Sequence, residues 1–139
     1  MSYAHTVTVN VPFDEAVRMA REALADQGFG VLTEIDMQST FAAKLGQEAA
    51  DAVGDYLILG ACNPALAQRA VTADPGIGAL LPCNVVVRRH AGAGETTVEA
   101  LDPAIMAQLS TKPEIKQVAI EADARLRAAL AAVLAGAAQ

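Results

Sequence analysis

Tyr3, His5, Val7, Val9 and Val11 alternate with Ala4, Thr6, Thr8 and Asn10, the two-residue period of a strand with one buried face. Pro12 ends that strand. Phe13, Ala16, Val17, Ala20 and Leu24 then fall at helical spacing, with Asp14 and Glu15 at the dipole-favoured start, and predict a helix reaching Gln27 before Gly28. Phe29, Val31 and Ile35 predict a second strand. Asp36 closes it and is placed to cap a short helix that carries Met37, Phe41 and Leu45 on one face and stops at Gly46. From Gln47 to Asp55 the residues are small and polar without aromatics, which predicts a loop or a weak helical turn.

Tyr56 to Ala61 is a nearly continuous apolar run suited to a central strand, and Asn63-Pro64 follows as an N-cap and first helical residue. The helix it opens should reach Thr72, before the turn residues Asp74, Pro75, Gly76 and Gly78. Cys83–Arg89 is valine-rich, and Thr96–Leu101 matches it across the Gly92–Gly94 turn, so the two read as a hairpin. Asp102-Pro103 repeats the cap-then-proline signal before a short helix through Leu109. A last long helix places Ile115, Val118, Ala122, Leu126, Leu130 and Val133 on one face, with Gly136 and the residues to Gln139 expected to fray. The order predicts an α+β fold: a mostly antiparallel five-stranded sheet covered on one face by helices. With 139 residues, the expectation is one domain over 1–139.

Composition narrows the partners. Hydrophobic residues are 53% of the chain but aromatics only 4%, with no Trp, so the core must be built from Ala, Val, Leu and Ile. A net charge of -6 repels phosphate backbones, and the basic residues form only small groups such as Arg88-Arg89, which argues against nucleic acid and against a polybasic membrane anchor. The chain opens on an alternating strand rather than a charged-then-apolar leader, and the Ala-rich last helix is interrupted by Glu121, Asp123, Arg125 and Arg127. Both readings predict a cytoplasmic protein that does not enter membranes.

The residues able to carry chemistry are few. Cys62 stands one residue ahead of a helix N-cap, where free N–H groups and the helix dipole favour an anion and a lowered thiol pKa. Cys83 opens the next strand, so neighbouring strands would bring the two thiols toward one hollow, flanked by Asn63 and Asn84. Such a pair can serve as a reactive thiolate, a redox pair or part of a soft-metal site, or can simply pack as small hydrophobes. A complete zinc site is not written in the sequence, because no close Cys pair or His pair accompanies them. His5 shares a strand face with Val7 and Val9 and reads as structural, and His90 as solvated. Glu34, Glu99 and Asp102 are the carboxylates nearest the strands; two together could serve acid–base work, but they read first as solvated-face or capping residues. Met37 and Met106 sit at core positions, and no catalytic triad, P-loop or dinucleotide glycine pattern is present.

The segments Gly60-Ala61-Cys62-Asn63-Pro64, Leu80-Leu81-Pro82-Cys83-Asn84-Val85-Val86-Val87 and Val98-Glu99-Ala100-Leu101-Asp102-Pro103 resemble the bacterial and archaeal family called domain of unknown function 302. Gly28–Asp36 and Lys44-Leu45-Gly46 extend the resemblance over nearly the whole chain, with only Gln47–Asp55 longer than usual. The resemblance implies a fold similar to the TATA-binding-protein-like class, homodimeric members, no established activity, and recurrent residues at Cys62, Asn63, Pro64, Pro82, Cys83, Asn84, Glu99 and Asp102. Together these readings give a small dimeric module that binds a small ligand or soft metal, or does thiol chemistry, at a site of Cys62, Asn63, Cys83 and Asn84 with Glu99 at the rim. The alternative is a structural or protein-interaction module with packed, inert cysteines. Neither reading identifies a cofactor, a metal or a catalytic residue.

Overall fold

The computed structural model describes residues 2–138. Its strands are β1 (Ala4–Val9), β2 (Gly30–Asp36), β3 (Asp55–Cys62), β4 (Cys83–Arg89) and β5 (Thr96–Leu101). The helices are α1 (Phe13–Asp26), α2 (Met37–Leu45), α3 (Gln47–Val53), α4 (Pro64–Ala73), α5 (Ala104–Leu109) and α6 (Pro113–Ala137), with a 3-10 helix at Pro75–Leu80. The strands form one open sheet in the order β1-β5-β4-β3-β2, antiparallel throughout.

The alternation read from the sequence sets the faces of the sheet. Leu57, Leu59 and Ala61 on β3, Val85 and Val87 on β4, and Val98 and Ala100 on β5 turn inward and are buried. Against them lie α1, through Ala16, Ala20, Ala23 and Leu24, and α6, through Leu126, Ala129, Leu130 and Val133. The alanines let helix backbones approach the sheet closely, and the remaining void there is only about 10 Å³. A second, smaller core joins α4, the 3-10 helix, α5 and the first half of α6 through Leu66, Ala70, Ile77, Met106, Ile115, Val118 and Ala122.

Local signals hold where a side chain satisfies backbone. The Asp36 carboxylate accepts from Ser39 N at 3.0 Å, Asn63 Oδ1 from Leu66 N at 3.2 Å, and Asp102 Oδ1 from Ala104 N at 2.9 Å. Three expectations are corrected. Gln47–Val53, read as a loop or a weak helical turn, is a complete seven-residue helix: its alanines favour helix, Gln47 bonds Asp51 one turn on, and Ala50 is fully buried. The turn after Asp74 tightens into a 3-10 helix that buries Ile77. The last helix continues through Gly136 to Ala137; Gln139 lies outside the described residues.

Candidate functional site

Between the two cores lies an apolar pocket of about 270 Å³. Phe29, Ala61 and Cys83 face it from the sheet side, and Leu66, Ala67, Ala70, Met106, Val118 and Ala122 from the helices. Leu81 and Pro82 close one wall, and Leu32, Thr33, Cys62 and Asn63 complete it. No charged side chain lines it, so an uncharged, largely apolar occupant suits it.

Sequence details shape this hollow. The β2–β3 register shifts between Val31 and Thr33, so Leu32 is the extra residue of a bulge on the edge strand, and its side chain is 69% exposed beside the pocket. Gly60 leaves the space that Thr33 and Pro82 fill: a Cβ there would collide with Thr33 Oγ1 and lie 2.9 Å from Pro82 Cγ. Asn63 spends its carbonyl oxygen on the α4 cap, and its amide nitrogen lies against Gly28, whose φ of 84° suits a residue without a side chain.

The site residues expected from the sequence separate into two groups. Cys62, Asn63 and Cys83 line the pocket. Asn84 does not: it pairs with Gly60 on the next residue of β4, and strand alternation turns it outward into solvent. Glu99 is also elsewhere, bonded to Thr6 Oγ1 at 3.1 Å and to Arg88 Nε at 2.7 Å. It borders a different surface hollow with Tyr3, Tyr56 and His90.

The expected cysteine pair is not formed. β3 and β4 are neighbours, but Cys83 stands opposite Ala61 rather than Cys62, and both thiols are free. Burial, together with the nearby Cys62, pushes the Cys83 thiol up to about 11, so it stays protonated at neutral pH. Among the described residues no cysteine belongs to a cluster of three metal-donor side chains. Cys83 is thus a protonated wall residue at neutral pH, and the offset between the two thiols gives no support to a redox pair or a soft-metal site here.

What the sequence reading missed is the wall itself: nothing local singles out Ala67 or Ala70, and Met106, Val118 and Ala122 read as ordinary core positions. Their helical spacing carried that signal, yet nothing in it shows that two cores would leave a gap. Among the described residues no helix is long and apolar enough to cross a membrane.

An open antiparallel sheet backed by helices, with an apolar hollow at one end, defines an α+β domain. Residues 5–133 match the family described as domain of unknown function DUF302, and the chain belongs to that family. It is similar to the crystal structure of an uncharacterized conserved protein DUF302 from Bacillus stearothermophilus, at 28% identity and a TM-score of 0.81, over 95% of this chain and 98% of that one. No curated protein matches the chain.

Proposed function

We propose that this protein binds a small, uncharged, mainly apolar molecule in the pocket between its two cores, as a carrier or sensor rather than as a catalyst. The observation that carries this reading is the hollow of about 270 Å³ with largely apolar walls, whose only polar or thiol side chains are those of Thr33, Cys62, Asn63 and Cys83. An apolar cavity of about 150 Å³ already holds benzene. The space here suits a single or small fused ring, or a short branched chain, with one polar group directed at Asn63. Leu32, raised on its bulge, is placed to cover such a molecule.

Indole, titrated into the ¹⁵N-labelled protein and followed by amide shifts, tests this. Saturable shifts centred on Leu66, Ala67, Ala70 and Cys83 are expected. Ala67→Leu adds three carbons to a half-buried wall position and should weaken indole at least roughly tenfold, by occupying its space. The same variant should be more stable by about 1 kcal/mol, since each buried CH₂ contributes ~0.8 kcal/mol and the site is partly open. Shifts spread over the surface, or undiminished in Ala67→Leu, would refute the proposal.

A further inference from the structure

His5, which read from the sequence as a structural residue, meets two carboxylates delivered by other elements. Its Nε2 lies 2.6 Å from Asp123 Oδ1 and 3.8 Å from Asp102 Oδ1. The three come from β1, from the residue after β5, and from α6, and their donor atoms all lie within 4.8 Å of one another. This is the one such group of three among the described residues. We propose that His5, Asp102 and Asp123 form a site for a first-row divalent metal ion, with solvent completing its coordination.

The geometry is close to that of a loaded site. Donors bound at about 2.1 Å around one such ion stand roughly 3.0–3.5 Å apart, between the two separations found here. All three donor atoms lie within 4.8 Å of one another, so side-chain adjustment at the carboxylates would seat the ion. One imidazole and two carboxylates are a donor set for Zn²⁺, Co²⁺, Mn²⁺ or Fe²⁺, not for a soft monovalent ion.

Surrounding bonds hold the donors. Arg127 Nε binds the outer oxygen of Asp123, Oδ2, at 2.8 Å and leaves Oδ1 toward His5. Ala104 N fixes Asp102 Oδ1 at 2.9 Å. Such outer contacts orient ligands and tune affinity. The three side chains are 18–27% exposed, dry enough to strengthen the attraction and open enough for an ion to arrive. Two carboxylates outnumber the one guanidinium, Arg127, that pairs with either of them, which favours a dication. Nε2 ligates the ion as a neutral imidazole with its one ring proton on Nδ1; an imidazolium reaches that form by releasing its Nε2 proton to solvent, and a neutral Nε2–H tautomer by exchanging its proton through solvent to Nδ1.

The test uses the untagged full-length chain, titrated with Zn²⁺ by calorimetry and with Co²⁺ by visible absorption. One equivalent is expected, with Co²⁺ bands that lack sulfur charge transfer. His5→Gln and Asp123→Asn should each weaken Zn²⁺ by more than about 100-fold, beyond the ~10–100-fold typical of losing an outer contact alone. Cys62→Ala with Cys83→Ala should leave both stoichiometry and affinity unchanged. Should the His5 or Asp123 variants fail to fold, imidazole NMR of the unaltered protein decides: Zn²⁺ must shift the His5 ring nitrogens, with His90 as the internal reference. No saturable Zn²⁺ binding, a sulfur-to-cobalt band, or an unmoved His5 ring would overturn the site.

Discussion

Replacing Cys83 with alanine should abolish a loss of stability that the unaltered protein shows at alkaline pH. The thiol faces the apolar pocket and is 6% exposed. Burial, reinforced by Cys62, raises its pKa from 9.0 to about 11. Between those values the unfolded chain sheds the proton and the native chain keeps it. The unfolded state then binds fewer protons, so stability falls as pH rises. The contribution is complete below the unfolded value of 9.0 and is lost as pH climbs through the folded value of about 11. Two units at about 1.36 kcal/mol each give roughly 2.7 kcal/mol, of which about 2 is lost by about pH 10.5. Urea unfolding of both proteins from about pH 8 to about pH 10.5 measures it, because tyrosines and lysines titrate alike in the two and cancel in the difference. The alanine variant should start lower by a constant offset for its lost sulfur and then converge on the unaltered protein as pH rises. Curves that stay parallel would refute the burial argument and reopen Cys83 as a reactive group.

Two further substitutions probe how the pocket is built. Gly60→Ala places a methyl group against Thr33 Oγ1 and 2.9 Å from Pro82 Cγ, and should cost about 1–3 kcal/mol, read as a lower urea midpoint; an unchanged midpoint would mean that neither neighbour is held there. Asn63→Ala removes the acceptor of Leu66 N and should cost about 1 kcal/mol, with faster hydrogen exchange confined to the first turn of α4 and weaker indole binding at the adjacent wall.

Much of the fold was legible because its elements carry local, self-contained signals. Strand alternation from Tyr3 to Val11, the cap-then-proline pairs at Asn63 and Asp102, and the apolar stripe of the last helix each depend on neighbours a few residues away. Gln47–Val53 was harder to read: a seven-residue helix made largely of alanine and polar residues has little amphipathic pattern, and Ala50 is buried only because α2 folds back on it. The site was legible in part for the same reason. Cys62, Asn63 and Cys83 end or begin strands and so were readable as rim positions, whereas Asn84 and Glu99 depended on which face of the sheet they occupied. The Cys62–Cys83 pairing failed on a register offset of one residue, which no single strand encodes. His5 met its carboxylates only through contacts spanning 118 positions in the chain, beyond any local pattern.

The pocket follows from a composition poor in large side chains. Where helices lie flat on the sheet, alanines at Ala16, Ala20 and Ala129 let the backbones close up and leave almost no void. At the end of the sheet, α4 leaves β3 at Asn63, and the Leu81-Pro82 segment carries the chain back to β4, so α4 and α6 are held off Ala61 by backbone connections. There the same small residues, Ala67, Ala70 and Ala122, are too short to span the gap. Sealed and empty, a void of about 270 Å³ would cost on the order of 6 kcal/mol at ~24 cal/mol per Å³; because this one is open to solvent, water relieves part of that cost. Leucine or phenylalanine at any of those three positions would reduce that cost, and helix propensity does not forbid it. The chain instead keeps methyl groups around a space with the volume and polarity of a small-molecule site, and opens it toward solvent at Leu32. On the proposed reading an occupant supplies the missing contacts, and Ala67→Leu asks directly whether the protein gains stability when a side chain takes that occupant's place.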